Sequence, residues 1–176
     1  KVLYRKRAEE LLKRGLAYYA FDSSPKLEKA RKESNGEFKY NHETRKNMIN
    51  SFTVSEEEAR SRIEKGGYVI RMVVPEKETI LVNDEIRGSL SFNSDEIEDK
   101  VIMKSDGMPT YHFANVVDDH DMKITSVVRG EEWLSSLPSH VTLYNHFGWS
   151  PPKFYHLPLI LKSTGQGKLS KRDAEE

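Results

Sequence analysis

Apolar residues follow two patterns along the first part of the chain, helical spacing and short continuous runs. Leucines and alanine at helical spacing predict a helix over residues 2–14, which Gly15 ends. The aromatic run 16–21 predicts a strand. Pro25 opens a short charged helix, because proline favours a first helical turn, and Asn35-Gly36 breaks it.

A second helix-then-strands pattern occupies residues 55–104. Ser55 and Glu58 have the spacing of a capping box, and the helix they begin ends at the glycine pair 66–67. The strands predicted after it cover residues 68–74, 79–82, 86–92 and 101–104. The middle two form a hairpin that turns near Asn83-Asp84.

The pattern of apolar and polar residues changes after the turn signal at 106–109. Ile124–Val128 is a β-branched run that predicts a buried strand, residues 137–147 predict a helix, and His156–Leu161 predicts a further buried strand. A strand, a helix and a strand with short links predict a βαβ unit in a parallel sheet. We therefore predict an α/β protein with two parts, residues 1–107 and residues 108–176.

Composition narrows the class of protein. The chain has 176 residues, with 36% hydrophobic and 10% aromatic residues, which is enough to build a core. No apolar run approaches the roughly 20 residues that span a bilayer, so no membrane partner is expected. Cysteine is absent, which excludes disulfides, zinc–thiolate sites, iron–sulfur clusters and cysteine nucleophiles.

Positive charge is concentrated in the first 50 residues. The net charge of the whole chain is zero, yet residues 1–50 hold 13 Lys and Arg against 7 Asp and Glu. Such a segment is either a footprint for a phosphate backbone or a solvated helix face, and charge alone leaves both open.

The segment GQGKLSKR at 165–172 is the strongest local candidate for chemistry. Two glycines precede Lys168, Lys171 and Arg172, with the hydroxyl of Ser170 between them. A loop of this kind can close over a triphosphate and neutralise charge that develops during nucleotidyl transfer. Its spacing is not that of a P-loop. The alternative is a basic tail with no catalytic role.

Arg129 is the candidate for binding a carboxylate. It ends the predicted strand 124–128, and a guanidinium pairs a planar anion through two hydrogen bonds. The alternative is an internal salt bridge to a nearby acid. Those acids are Asp118, Asp119, Glu131 and Glu132.

Tyr111 and Asn115 lie four residues apart, so on a helix they share a face and can bind one small ligand. Ordinary packing and capping are the alternative. The acidic run 118–121, together with five histidines between residues 112 and 156, also allows a metal site. We favour a turn-solvating role, because no His-Glu-x-x-His pair occurs, and we predict no metal.

The stretch from Ser105 to Arg172 resembles the bacterial-type glutamyl-tRNA synthetases. The segments SDGMPTYHFANVVDDH, ITSVVRGEEWL, FGWSPPKFYHLPLIL and GKLSKR have the order and spacing of that family, and KLSKR is similar to the KMSKS loop of class I aminoacyl-tRNA synthetases. YRKRAEELLKRGLAYYAF and YVIRMVVP look like parts of the family's acceptor-stem-binding insertion. The resemblance implies the second half of a class I Rossmann-like catalytic domain plus this mixed α/β insertion.

The family joins glutamate to tRNA through a glutamyl-adenylate, so the resemblance implies a role for individual residues. The glutamate-pocket positions are Tyr111, Asn115 and Arg129. The ATP positions are Glu132, Trp133, Leu159, Ile160 and Lys171. The catalytic loop positions are Lys168, Ser170 and Lys171.

The implied partners are L-glutamate, ATP with Mg²⁺, and the acceptor stem of tRNA(Glu). The basic residues assigned to the tRNA are Lys26, Lys29, Arg31, Lys32, Lys39, Arg45 and Lys46. Some relatives carry zinc on cysteines after the first strand, where this chain has Phe21-Asp22-Ser23-Ser24, so no structural zinc is expected. The resemblance also implies a cytoplasmic, monomeric parent enzyme.

The family's His-Ile-Gly-His motif and the helical anticodon-binding domains have no counterpart in this sequence. We therefore expect an internal fragment of a glutamate–tRNA ligase that is inactive alone. The alternatives are a free-standing RNA-binding module, a glutaminyl-tRNA synthetase and the tRNA-queuosine glutamylating paralogue. Arg129 suits a carboxylate rather than an amide, and the long cysteine-free insertion disfavours the paralogue.

Overall fold

The computed structural model describes residues 1–160 and residue 162, and it confirms a mixed α/β fold. The helices are α1 (Val2–Lys13), α2 (Ser24–Glu33), α3 (Glu56–Lys65), α4 (Tyr111–Asp121) and α5 (Leu137–Phe147). The strands are β1 (Ala17–Ala20), β2 (Val69–Met72), β3 (Thr79–Asp84), β4 (Gly88–Asn93), β5 (Val101–Met103), β6 (Ser126–Gly130) and β7 (Lys153–Leu157). Short 3-10 turns occupy Thr44–Asn47, Ser94–Glu96 and Glu131–Ser136.

Local sequence signals account for where the helices begin and end. The Ser55 hydroxyl accepts a hydrogen bond from the Glu58 backbone N–H at 3.2 Å, which confirms the predicted start of α3. Gly66 follows α3 with φ of 78°, in the region that favours glycine. α5 ends in the same way, at Gly148 with φ of 71°.

Two sheets organise the described residues. β1, β2 and β5 form an antiparallel sheet in the order β1-β2-β5. The other sheet has the order β4-β3-β7-β6, in which β7 runs parallel to both β3 and β6. α5 lies between β6 and β7 in the chain, so the predicted βαβ unit and its parallel pairing are confirmed.

The second sheet joins residues from the two sides of the predicted boundary at 107/108. The β3–β4 hairpin precedes that boundary, and β7, its neighbour in the sheet, follows it. One core is likewise continuous across it, with Leu11 and Met72 in the same cluster as Phe113, Leu143 and Phe154. The division into two domains stays a prediction, and the β3–β4 hairpin belongs structurally with the second part.

Two sequence predictions for the strands were wrong in detail. β6 is not a buried strand: Val128 is 63% exposed, and β6 is the edge strand of its sheet. The strand predicted over 156–161 begins three residues earlier and ends four residues earlier, at Lys153–Leu157. Pro158 ends β7. This strand lies between β3 and β6, and proline has no backbone N–H to donate to either neighbour. In the described part of the chain, no helix is long and apolar enough to cross a bilayer.

Candidate active site

The sheet register brings Arg129 and His156 together. The parallel pairing of β6 with β7 makes them direct partners near the carboxyl ends of both strands. Their side chains share one face, and Arg129 Nε donates to His156 Nε2 at 3.0 Å. In α/β sheets this edge is where ligands bind, so the position predicted for Arg129 is a plausible site by its topology alone.

Arg129 also contacts His140, which pairs in turn with a second histidine. Its Nη1 lies 3.3 Å from His140 Nδ1 on α5, and His140 Nε2 lies 2.9 Å from His112 Nδ1 on α4. Arginine only donates hydrogen bonds, so the facing nitrogen of His140 must be the acceptor. The proton of His140 is therefore on Nε2, which donates to His112.

Asp84, the last residue of β3, completes this arrangement from the other side. Its Oδ2 lies 2.7 Å from His156 Nδ1, and its Oδ1 accepts from the backbone N–H groups of Ile86 and Arg87 at 3.0 and 2.9 Å. Burial alone would raise the pKa of Asp84. The hydrogen bonds from His156, Arg87 and Ile86 more than offset this, so the pKa lies below its ordinary value and Asp84 is a carboxylate.

We call these five side chains the histidine–arginine network: Asp84, His112, Arg129, His140 and His156. His140 and His156 are 1% and 0% exposed. Burial, followed by the charge of Arg129, lowers the pKa of His140 to about 3, and burial, followed by Lys100 and Arg129, lowers that of His112. Both imidazoles are neutral at neutral pH, whereas Arg129 keeps its charge although burial lowers its pKa.

The internal salt bridge considered for Arg129 is not formed in the described part of the chain, where no carboxylate oxygen lies within 4.0 Å of its guanidinium nitrogens. Asp118 accepts from the Tyr4 hydroxyl instead, at 2.7 Å, and Glu131 pairs with Arg87. Arg129 Nη2 is buried and has no partner among the described residues. The hydrogen-bond partners of the guanidinium are therefore neutral groups, and Nη2 has none among the described residues.

The aromatic residues predicted near the substrates lie beside Arg129. The ring centroid of Tyr111 is 5.3 Å from that of Trp133, and the Arg129 guanidinium carbon is 5.8 Å from the Trp133 ring. Tyr111 opens α4 and is 57% exposed, and half-buried Asn115 follows one helical turn later. Three predicted residues, Tyr111, Arg129 and Trp133, thus form one cluster.

The remaining ATP candidates surround the turn after β6. The Leu159 backbone N–H donates to Glu131 Oε1 at 3.1 Å, and the side chain of Ile160 is 71% exposed. Exposed Glu132 lies against Gly130, where an added Cβ would come within 2.6 Å of the Glu132 carboxyl carbon. The predicted loop residues Lys168, Ser170 and Lys171 lie outside the described residues.

Four of the seven basic residues predicted to contact tRNA are engaged within the protein. Lys26 pairs with Asp22 at 2.7 Å, Lys29 with Glu33 at 3.7 Å, and Lys39 donates to the Glu96 carbonyl at 3.1 Å. These three side chains remain exposed at the surface.

Arg45 is different, because its side chain is only 12% exposed. It bridges Asp99 at 3.0 Å and Glu76 at 3.1 Å. Asp99 also accepts from the Tyr18 hydroxyl and the Val74 N–H, so Arg45 belongs to a buried structural network. Its assignment to tRNA stays a prediction, and its guanidinium already has two acidic partners within the protein. Arg31, Lys32 and Lys46 are exposed.

The acidic run 118–121 fastens α4 to neighbouring segments. Asp121 pairs with Arg7 at 3.2 Å, and His120 stacks on Trp149 with ring centroids 3.6 Å apart. Across the residues that the structure describes, no group of three or more His, Cys, Asp or Glu side chains is placed to hold a metal ion. His140 and His156 contact the Arg129 guanidinium instead, and His112 contacts His140.

Sequence reasoning missed four residues of this site: Asp84, His112, His140 and His156. Their only visible signal was the concentration of five histidines between residues 112 and 156. That signal suggested metal chemistry rather than acceptors for an arginine, and nothing in the sequence linked Asp84 to them.

Comparison with known proteins places this geometry in a family. The whole chain, residues 1–176, matches the family described as tRNA synthetases class I (E and Q), catalytic domain. It is similar to the glutamate–tRNA ligase of Flavobacterium johnsoniae, with 52% identity over 100% of this chain, and to that of Cytophaga hutchinsonii, with 54% identity over 99%. The chain spans only 36% and 35% of the length of these two relatives.

Solved structures agree. A glutamate–tRNA ligase of Elizabethkingia meningosepticum, crystallised in complex with its amino acid, superposes with a TM-score of 0.92 at 51% identity and covers 98% of this chain and 35% of its own. The glutamate–tRNA synthetase of Elizabethkingia anophelis gives a TM-score of 0.90, also at 51% identity, over 98% of this chain and 36% of its own. The chain belongs to the class I (E and Q) tRNA synthetase family and has the fold of its catalytic domain.

Proposed function

We propose that this chain is the glutamate-binding part of the catalytic domain of a glutamate–tRNA ligase. The whole enzyme activates glutamate with ATP to form glutamyl-adenylate and pyrophosphate, and then transfers the glutamyl group to tRNA(Glu). Because the chain spans 36% of a relative's length, it acts together with segments that flank it in the relatives, and the 176 residues alone are inactive.

The observation that carries this proposal is the state of Arg129. The guanidinium of this half-buried residue lies against the imidazoles of His140 and His156, which accept its hydrogen bonds, with no carboxylate within 4.0 Å in the described part of the chain. A partly buried cation that no described carboxylate contacts directly is stabilised by a ligand that supplies a negative charge. An anionic amino acid meets that need, and Tyr111 and Trp133 lie beside the position it would take.

The same proposal assigns a role to each part of the chain and places the ATP site. Residues 108–176 form the second half of a Rossmann-like catalytic domain, and much of residues 1–107 forms an insertion that contacts the acceptor stem of tRNA(Glu). ATP binds with Mg²⁺ near Glu132, Trp133 and the backbone of Leu159 and Ile160. We place the enzyme in the cytoplasm as a monomer.

A glutaminyl enzyme is the second candidate, since the matched family includes both amino acids. A fixed guanidinium favours the carboxylate of glutamate over the neutral amide of glutamine. The named relatives are also glutamate–tRNA ligases. A free-standing RNA-binding module has no use for a half-buried arginine that no carboxylate of the described residues contacts.

The test is ATP–pyrophosphate exchange in a full-length protein that carries these residues with the flanking segments of the relatives. We expect exchange that depends on glutamate in the presence of tRNA(Glu), and none with glutamine or from the 176 residues alone. Preference for glutamine, or exchange by the isolated chain, would contradict the proposal.

Lys171 offers a second test of the same reaction. If Lys171 contacts the phosphates of ATP, Lys171→Ala slows glutamyl-adenylate formation by about 100-fold and changes the KM for glutamate little. An unchanged exchange rate would show that the loop does not act in this step.

A further inference from the structure

We propose that Asp84 and His156 are positioning residues for Arg129. In this role the Asp84 carboxylate fixes the tautomer of His156, and His156 Nε2 then holds Arg129 Nε, so that the guanidinium is presented to the substrate carboxylate. The inference rests on the proposed function, because it concerns how the same pocket holds its arginine.

The tautomer of His156 follows from its two partners. Asp84 is a carboxylate and only accepts, so His156 Nδ1 carries the proton across the 2.7 Å contact. Arg129 Nε only donates, so His156 Nε2 must be unprotonated across the 3.0 Å contact. A neutral His156 with its proton on Nδ1 is the only form that satisfies both neighbours.

Asp84 is itself fixed by its two oxygens, which have different tasks. Oδ1 accepts from the backbone N–H groups of Ile86 and Arg87 and so closes the turn of the β3–β4 hairpin. Oδ2 accepts from the side chain of His156, and from its backbone N–H at 3.2 Å. The hairpin, which lies outside the βαβ unit, therefore supports the arginine through β7.

The guanidinium of Arg129 is thereby held at two of its three nitrogens. Nε is bound by His156 and Nη1 faces His140, while Nη2 is buried with no partner among the described residues. The two supports are neutral, so they orient the cation without neutralising it. Nη2 is the donor left for an oxygen of the ligand.

Asp84→Asn is the sharpest variant because it changes one oxygen at constant shape. The new amide keeps its oxygen towards Ile86 and Arg87, and its NH₂ group replaces Oδ2 opposite His156 Nδ1. His156 must then carry its proton on Nε2, where it opposes the N–H of Arg129. We expect the KM for glutamate to rise about tenfold or more in the full-length enzyme, while the KM for ATP stays within about twofold.

A pair of changes at His156 separates positioning from packing. His156→Gln supplies an amide oxygen near the Nε2 position. This oxygen accepts a hydrogen bond from Arg129 whether residue 84 is Asp or Asn. We expect a KM for glutamate within about threefold of wild type, both alone and combined with Asp84→Asn. His156→Leu keeps apolar volume but no acceptor, and we expect the tenfold rise.

The outcomes are distinguishable. If the unmodified enzyme shows no glutamate-dependent exchange, the proposed function fails. If it does exchange, and either Asp84→Asn leaves the KM for glutamate unchanged or His156→Leu and His156→Gln behave alike, the positioning role is overturned and the proposed function stands. Circular dichroism and thermal melting identify variants that do not fold. Should Asp84→Asn be one of them, the comparison of His156→Gln with His156→Leu decides the question.

Discussion

At the scale of single residues, the site is defined by which nitrogen carries which proton. Arg129 fixes the acceptor nitrogens of His140 and His156, and burial keeps His140 neutral far below the ordinary histidine range. A buried neutral histidine lowers the free energy of unfolding in acid, because the unfolded chain binds a proton that the folded chain does not bind.

This gives a prediction for pH. In the unfolded chain the pKa of His140 is near 6.5, and in the folded chain it is about 3. Between these values the unfolded state binds one more proton, so the free energy of unfolding falls as the pH falls, by up to about 1.4 kcal/mol per pH unit from this group. In His140→Asn, whose amide oxygen can still accept from Arg129, urea unfolding between pH 4 and 8 should lose that part of the slope. Carboxylates contribute to both proteins alike, so equal slopes would contradict the assignment.

At the scale of elements, the sequence predicted what is local and missed what is not. Ser55 with Glu58, Pro25, Gly66 and Gly148 act on neighbouring backbone, and the helices they delimit were found as predicted. Strand burial depends instead on neighbours distant in sequence, so β6 was wrongly predicted to be a buried strand. The contact between Asp84 and His156 joins residues 72 positions apart, and no local pattern encodes it.

The helix α2 carries the testable part of the tRNA prediction. Its cations at 26, 29 and 32 recur every three residues, and Lys32 is exposed. Lys29→Glu with Lys32→Glu should weaken tRNA binding by the full-length enzyme about tenfold and flatten the dependence of log affinity on log salt by about two.

A matched control for α2 lies on α3, where Arg60→Glu with Lys65→Glu makes the same change in charge. We expect the affinity for tRNA, measured by filter binding at several salt concentrations, to change less than threefold in this control. Equal effects of the two pairs would mean that net charge, rather than α2, governs binding.

At the scale of the whole molecule, one core and one sheet tie the two predicted parts together. Leu11 of α1 is fully buried in the cluster that contains Phe113 and Phe154. The two tryptophans, Trp133 and Trp149, are both in the second part. A destabilising substitution in residues 1–107 should therefore shift the unfolding midpoint that tryptophan fluorescence reports from residues 108–176.

Leu11→Ala tests this coupling. Removing a buried leucine costs about 2–5 kcal/mol, and in one cooperative unit the midpoints from tryptophan fluorescence and circular dichroism fall together. Val2→Ala, at a position 85% exposed on the same helix, is the control and should change neither midpoint. A fluorescence midpoint that is the same in Leu11→Ala as in the unmodified protein would mean that the two parts unfold independently.

The most direct test of carboxylate binding by Arg129 is the KM for glutamate in Arg129→Gln, measured by ATP–pyrophosphate exchange in the full-length enzyme with tRNA(Glu). Arg7→Gln is the control, because it removes another half-buried arginine, one that pairs with Asp121 away from the site. We expect a rise of about 100-fold for Arg129→Gln and less than threefold for Arg7→Gln, with the KM for ATP unchanged in both. A KM for glutamate that is the same in Arg129→Gln as in the unmodified enzyme would contradict carboxylate binding by Arg129.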